Sequence, residues 1–285
     1  MQKILLQFAS LTIIFPSFTL AFAAFSQSVK CKHKCATRLP MSKEVDVGSS
    51  SKILLLSKLH KLTTDGPQRL ILASQSPRRR EILDMMGLTN RYSVTFSPLD
   101  EEALQLELRA LKTPLSPQDY AKKLAESKAF ALAEEITNGD DNSCTHESSF
   151  ILGSDTIVDY DGAILEKPKS KDDAKQMLTT LSGSWHEVHT GVALYKITHS
   201  NNGNNDGNDN VELVSSFTET AKVKFAPLSS EDIAAYVETG EPMDKAGSYG
   251  IQGIGGQMVE RMDGDFFAVM GLPMHRLSGE LAKVL

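Results

Sequence analysis

Two short stretches of this chain bring together groups that could handle phosphate and a carboxylate that could activate water. In Ser74-Gln75-Ser76-Pro77-Arg78-Arg79, two hydroxyls precede a proline and two arginines. The apolar run Arg69–Ala73 ahead of it predicts a strand. Ser76-Pro77 then predicts a helix start, with serine at the cap and proline in the first turn. The first N–H groups of a helix lack intrahelical partners and point outward, so a strand feeding such a turn makes an anion site. Two arginines there oppose the helix dipole, and a bound polyphosphate would reverse that penalty. Ser74, Ser76, Arg78 and Arg79 are therefore candidate ligand-binding residues. A solvated basic face is the competing reading, since Arg80 continues the run.

The second stretch is Gly153-Ser154-Asp155-Thr156, set between Phe150-Ile151-Leu152 and Ile157-Val158. A carboxylate in the middle of an apolar strand is costly to bury without a cation or hydrogen bonds. Such an aspartate marks a metal ligand or general base more often than a structural acid held by nearby backbone. Glu166-Lys167-Pro168 ends the adjoining hairpin, where Lys167 either adds a cation at the same edge or is plain surface. Asp100-Glu101-Glu102 is expected in a loop, either solvated or lending a carboxylate to a divalent ion that also holds phosphates. The segment Asp244–Gly253 carries too many glycines for a helix or central strand. Its backbone could approach a ligand closely, with Tyr249 stacking on a base and Gln252 bonding its edge, or it could be a tight structural loop.

The elements that must position these groups alternate along the chain. A helix is expected from Ser76-Pro77 to Gly87, and a long one from about Gln118 to Glu135. Phe150–Val158 predicts a strand, Asp161-Gly162 a hairpin turn, and Ser170 the cap of a helix closed by Gly183. Strands over 185–197 and 211–225 follow, then helices over 230–237 and 274–284. Interleaving of this kind indicates an α/β fold.

The chain has 285 residues and a formal charge of -6, which argues against broad nucleic-acid binding. Residues 1–40 run the other way, with Lys3, Lys30, Lys32, Lys34 and Arg38 and no acid. The apolar run Ile4–Phe25 ends in small residues, as signal peptides do, and polar residues dilute it relative to a membrane anchor. Cleavage is expected near Ala24. The basic stretch behind it resembles a transit peptide, and Phe25 at the junction resembles the leaders that target complex plastids. Plastid targeting is therefore expected, with secretion or the cytoplasm as alternatives and no lasting membrane association. Residues 1–66 are expected to be leader and linker, and 67–285 the folded body with polar insertions at 138–149 and 199–210. Three cysteines form no disulfide framework, and Cys31-Lys32-His33-Lys34-Cys35 supplies few ligands for a metal.

Taken together, these pieces resemble the Maf family of nucleotide pyrophosphatases. The matching stretches are Leu72–Arg79, Gly153–Thr156, Glu166–Pro168, Leu181-Ser182-Gly183, Thr190–Leu194, Asp244–Gly253 and Gly271-Leu272-Pro273, in family order. The resemblance implies an α/β fold similar to the inosine-triphosphate pyrophosphatases. Its features are a central elongated mixed sheet flanked by helices, a cleft between two lobes, a homodimer, and a divalent cation, Mg2+ or Mn2+. It implies Asp155 as proton acceptor and Arg78, Arg79, Lys128 and Lys167 as phosphate holders. Glu101 and Asp155 would contact the metal, and Arg78, Thr156 and Gln252 would bear on substrate choice. Thr156 after the aspartate and Tyr249–Gly253 resemble the branch acting on dTTP and UTP; Gln75 departs from the commoner Gly or Asn. The expected reaction releases pyrophosphate and leaves the monophosphate, cleaning the nucleotide pool. A non-catalytic, nucleotide-binding regulator of cell division is one alternative. A pyrophosphatase for another non-standard nucleotide, such as 7-methyl-GTP, is the other.

Overall fold

The computed structural model describes residues 55–63, 68–139, 148–198 and 209–285. The expected leader and its cleavage point, Cys144 and most of both polar insertions lie outside these residues. The first strand, β1 (Gln68–Leu72), buries its apolar end, and Pro77 opens α1 (Pro77–Leu83). Gly87, at φ 80°, turns the chain into β2 (Tyr92–Val94). Next come α2 (Glu101–Arg109), α3 (Pro117–Asn138), β3 (Ser148–Tyr160) and β4 (Ala163–Leu165). Asp161 and Gly162, both at positive φ, make the turn between β3 and β4 that the Asp-Gly pair predicts. The chain continues through α4 (Lys171–Leu181), β5 (Trp185–Thr198), β6 (Asn210–Phe225) and α5 (Ser230–Glu238). It closes with β7 (Val259–Asp263), α6 (Phe266–Met270) and α7 (Met274–Val284). Serine caps fix several starts: Ser116, Ser170 and Ser229 each accept the backbone N–H three residues on.

The seven strands form one mixed sheet in the order β2-β1-β3-β5-β6-β7, with β4 paired to β3. Strands β2, β1 and β3 are parallel, and the long β3, β5 and β6 are antiparallel. One edge of β3 pairs with β5 along nearly its whole length. The other edge pairs with β1 only as far as Leu152 and with β4 only from Val158. Residues 153–157 therefore keep one edge open.

Side chains of β3 alternate between two faces. Phe150 and Leu152 join Leu72, Leu83 and Leu277 in one core on the α1 and α7 side. Ile151 meets the alanines of α3, Ala125, Ala129 and Ala133, on the other. A further core lies around Leu178, Phe225 and Val237.

Two sequence expectations are corrected here. Leu55–Lys61, within the stretch expected as linker, is a 3-10 helix whose Leu55 joins the first core. Its backbone and lysines bond α7 through Ser278 and the Ala282 and Leu285 carbonyls, so the folded body reaches back to residue 55. Glu101 and Glu102 do not sit in a loop. Asp100 accepts the Ala103 N–H and caps α2, with both glutamates in its first turn, where carboxylates favour the dipole. Among the described residues no helix is long and apolar enough to cross a membrane.

Candidate active site

Helix α3 rests directly on the sheet because two strand residues have no side chain. A Cβ on Gly153 would sit 2.3 Å from the Ala125 carbonyl, and one on Gly191 would sit 2.2 Å from that of Ala121. This approach brings Lys128 onto β3. The Lys128 side chain is 6% exposed, and its ammonium lies 2.5 Å from Asp155 Oδ1 and 2.8 Å from Glu101 Oε2. One buried cation between two carboxylates satisfies the cost of placing Asp155 in an apolar strand. The strand aspartate thus has a charged partner rather than a backbone one.

Thr156 points to the opposite face of β3. Its hydroxyl bonds Thr190 at 2.8 Å and receives a weak bond from Arg79. Arg79 is buried, and it also donates to the Gly271 carbonyl and to Ser74 Oγ, each at 2.9 Å. Three of the five N–H groups of that guanidinium are thereby fixed by the protein. Burial pulls the Arg79 pKa below its ordinary value, with Asp155 drawing it back up. Ser74 Oγ also accepts the Ser76 N–H, which shapes the turn before α1. Ser76 occupies the cap position but makes no side-chain cap bond, so the expected serine cap does not form.

Arg78 is less committed. It pairs with Asp244 at 3.0 Å across the cleft, and Asp244 is 58% exposed and also contacts Lys245 at 2.6 Å. Burial works against the Asp244 charge, but Lys245 and Arg78 outweigh it and hold the carboxyl below the usual range. The third wall comes from α2 and the loop after β4. Arg109 pairs with Glu166 at 2.6 Å, and Glu166 accepts the Tyr120 hydroxyl at 2.5 Å.

These walls enclose a cleft of about 970 Å³, a size suited to a whole small-molecule ligand. All ten residues singled out in the sequence line it: Ser74, Ser76, Arg78, Arg79, Glu101, Lys128, Asp155, Thr156, Lys167 and Gln252. They arrive from α1, α2, α3, β3 and three loops. Lys167 and Gln252 stand exposed at its rim. Sequence reading missed Arg109, Glu166, Asp244 and Lys245 as members. Glu166 adjoined a residue already chosen, while Arg109 becomes visible only once α2 is read as a helix that places Glu101, Gln105 and Arg109 on one side. The Tyr249 ring is buried against Phe225 and His186 and its hydroxyl bonds His186 at 2.9 Å, so it holds the Gly-rich loop to the core, the structural one of its two readings.

Glu101 and Asp155 bring two carboxylates together beside Lys128, a donor set that also fits a divalent cation sharing phosphate oxygens. A cluster of three metal-ligating side chains, Asp159, Glu187 and His189, lies outside the cleft.

Residues 69–284 match a family model described as Maf-like protein. A dTTP/UTP pyrophosphatase of Bacillus cytotoxicus is 42% identical over 216 residues, 76% of this chain and 95% of that protein. The Bacillus velezensis dTTP/UTP pyrophosphatase is 40% identical over 207 residues, 73% of this chain and 92% of the relative. A probable bifunctional dTTP/UTP pyrophosphatase/methyltransferase protein of Homo sapiens is 42% identical over 217 residues, which cover 76% of this chain and 32% of the human protein.

Proposed function

This chain belongs to the Maf-like protein family, and from that premise we propose that its cleft hydrolyses dTTP and UTP to the monophosphate and pyrophosphate, clearing them from the nucleotide pool. The observation that carries the reading is the buried Lys128 held between Asp155 and Glu101, facing the arginines of α1 across an open cleft. A triphosphate brings several negative charges that must be balanced before a nucleophile can approach. Arg78, Arg79, Lys128 and Lys167 balance them, and the outward N–H groups at the start of α1 add their partial charge. Arg78 exchanges Asp244 for phosphate, whereas Arg79 stays on Ser74 and Gly271 and presents its remaining N–H groups.

Asp155 keeps one oxygen on Lys128 and uses the other to orient water, accepting its proton as the water attacks the α-phosphorus. The bond from the α-phosphorus to the bridging oxygen breaks, and pyrophosphate leaves with its charge spread over the same cations. A divalent cation, Mg2+ or Mn2+, would be held by Glu101 and Asp155, where it supplies further charge neutralisation on the polyphosphate. Thr156, fixed by Arg79 and Thr190, and Gln252 at the rim select the base.

Pyrophosphate release from dTTP, UTP, CTP, 7-methyl-GTP and ITP with magnesium or manganese tests the proposal. Release from dTTP and UTP above the others is expected, and a profile led by 7-methyl-GTP or ITP would overturn the base assignment. Asp155→Asn should abolish turnover while nucleotide still binds, and full turnover in that variant removes Asp155 from its role.

A further inference from the structure

The sheet carries a second cluster of ligating groups, four residues beyond Asp155 along β3, which is about 13 Å at a strand's rise. Asp159 on β3 pairs in register with Glu187 on β5, and His189 lies two residues along on the same face. The His189 side chain is fully buried, and its Nε2 has no hydrogen-bond partner. That nitrogen faces two carboxylate oxygens, Glu187 Oε2 at 3.5 Å and Asp159 Oδ2 at 3.7 Å. Both separations are too long for good hydrogen bonds, so this buried nitrogen is aimed at two carboxylates without bonding either.

Every other polar atom of the three side chains is already held. His189 Nδ1 bonds Thr220 Oγ1 at 2.9 Å, Asp159 Oδ1 accepts the Gly162 N–H at 2.8 Å, and Glu187 Oε1 lies 3.2 Å from Lys222 Nζ. Ligands whose far atoms are fixed by such outer contacts are the usual surroundings of a metal site. The three inward atoms all lie within 4.8 Å of one another. In a tetrahedral site with bonds of about 2.0–2.2 Å, neighbouring ligand atoms stand roughly 3.3–3.6 Å apart. The two separations from Nε2, 3.5 and 3.7 Å, lie close to that range, and a cation would satisfy nitrogen and carboxylates together.

We propose that Asp159, Glu187 and His189 form a second metal site, separate from the cleft, for a divalent transition cation of the zinc class. One imidazole with two carboxylates suits such an ion better than magnesium, which takes oxygen ligands in octahedral array. The site fastens β3 and β5 at the foot of the hairpin that carries Glu166 and Lys167, and Thr220 extends the attachment to β6.

The test is zinc titration of the chelator-stripped full-length chain without nucleotide, with zinc-edge X-ray absorption on the loaded protein. Uptake of one equivalent with a single imidazole in its shell is expected, and Asp155→Asn should retain it, which separates this site from the cleft. His189→Gln should weaken uptake by at least 100-fold, and Thr220→Val by about 10–100-fold, as outer-contact losses do. Asp159→Asn serves as the second variant should His189→Gln fail to fold. No zinc bound by the unaltered chain, a shell without imidazole, or unchanged affinity in a folded His189→Gln or Asp159→Asn chain would overturn the proposal.

Discussion

The close seat of α3 on the sheet makes Gly153→Ala the most informative single change. The added methyl would lie 2.3 Å from the Ala125 carbonyl and 2.8 Å from Ala129 Cβ, whereas ordinary contacts begin near 3.4 Å. Both neighbours belong to α3, and the carbonyl is backbone, so no rotamer relieves the clash. The helix must lift by about 1 Å, and overpacking of this kind costs about 1–3 kcal/mol. Lys128 rides on the same turn. Its 2.5 Å contact with Asp155 would open to about 3.5 Å, past a good hydrogen bond. A misplacement of about 1 Å can lower a rate by roughly 100-fold. We therefore expect kcat/KM for dTTP, measured by pyrophosphate release, to fall by about that factor, and the urea midpoint to fall as well. Gly279→Ala in α7 is the control, because its new methyl meets nothing within 4 Å. It should raise stability by about 0.5–1 kcal/mol through helix propensity and leave the rate alone. The reasoning fails if Gly153→Ala keeps kcat/KM within twofold and loses less than about 0.5 kcal/mol, the scale of a neutral surface change.

Glu241 gives a pH-dependent prediction. Burial opposes its charge, but the Gly255 and Ile254 N–H groups, the Tyr236 hydroxyl and Lys245 outweigh it and hold its carboxyl below the ordinary value. Stability from a depressed carboxylate is present above its unfolded pKa and is lost as pH falls through the folded one. Glu241→Gln should therefore cost about 1 kcal/mol at neutral pH, and the gap from the unaltered chain should close below about pH 4 in urea melts. A gap that persists unchanged to pH 3 would contradict the assignment. Tyr249→Phe strips the buried His186 of its 2.9 Å partner and should cost about 1–3 kcal/mol. KM for dTTP should hardly move in that variant; a large rise would return the ring to base recognition.

Much of the site could be read from the sequence because its cues are local. A proline after two serines fixes the start of α1, Asp161-Gly162 fixes the β3 turn, and an acid inside an apolar strand demands a cation wherever the chain supplies one. What escaped was decided by contacts or by an overlooked period. Leu55, Leu59 and Leu62 recur at helical spacing, so the docking of this segment on the body was detectable despite its polar neighbours. The acidic triplet around Glu101 reads as a loop by itself, and only Leu104 and Leu108, the apolar stripe of α2, mark it as the start of a helix. The fate of Tyr249 depended on Phe225 and His186, which are distant in sequence, and no local pattern places those rings together. Similarly, that Arg79 would be occupied by Gly271 could not be foreseen from α1 alone.

The gap left in the sheet between β1 and β4 has a consequence for how this enzyme family can diversify. Like a wall with one plank removed, it lets a single strand show its front and its back through the same opening. Asp155 takes its setting from α3, and Thr156 takes its own from Arg79, Thr190 and Gly271. Neighbours in the chain therefore answer to separate surroundings, so the setting of Thr156 can change while the acid and its lysine stay as they are.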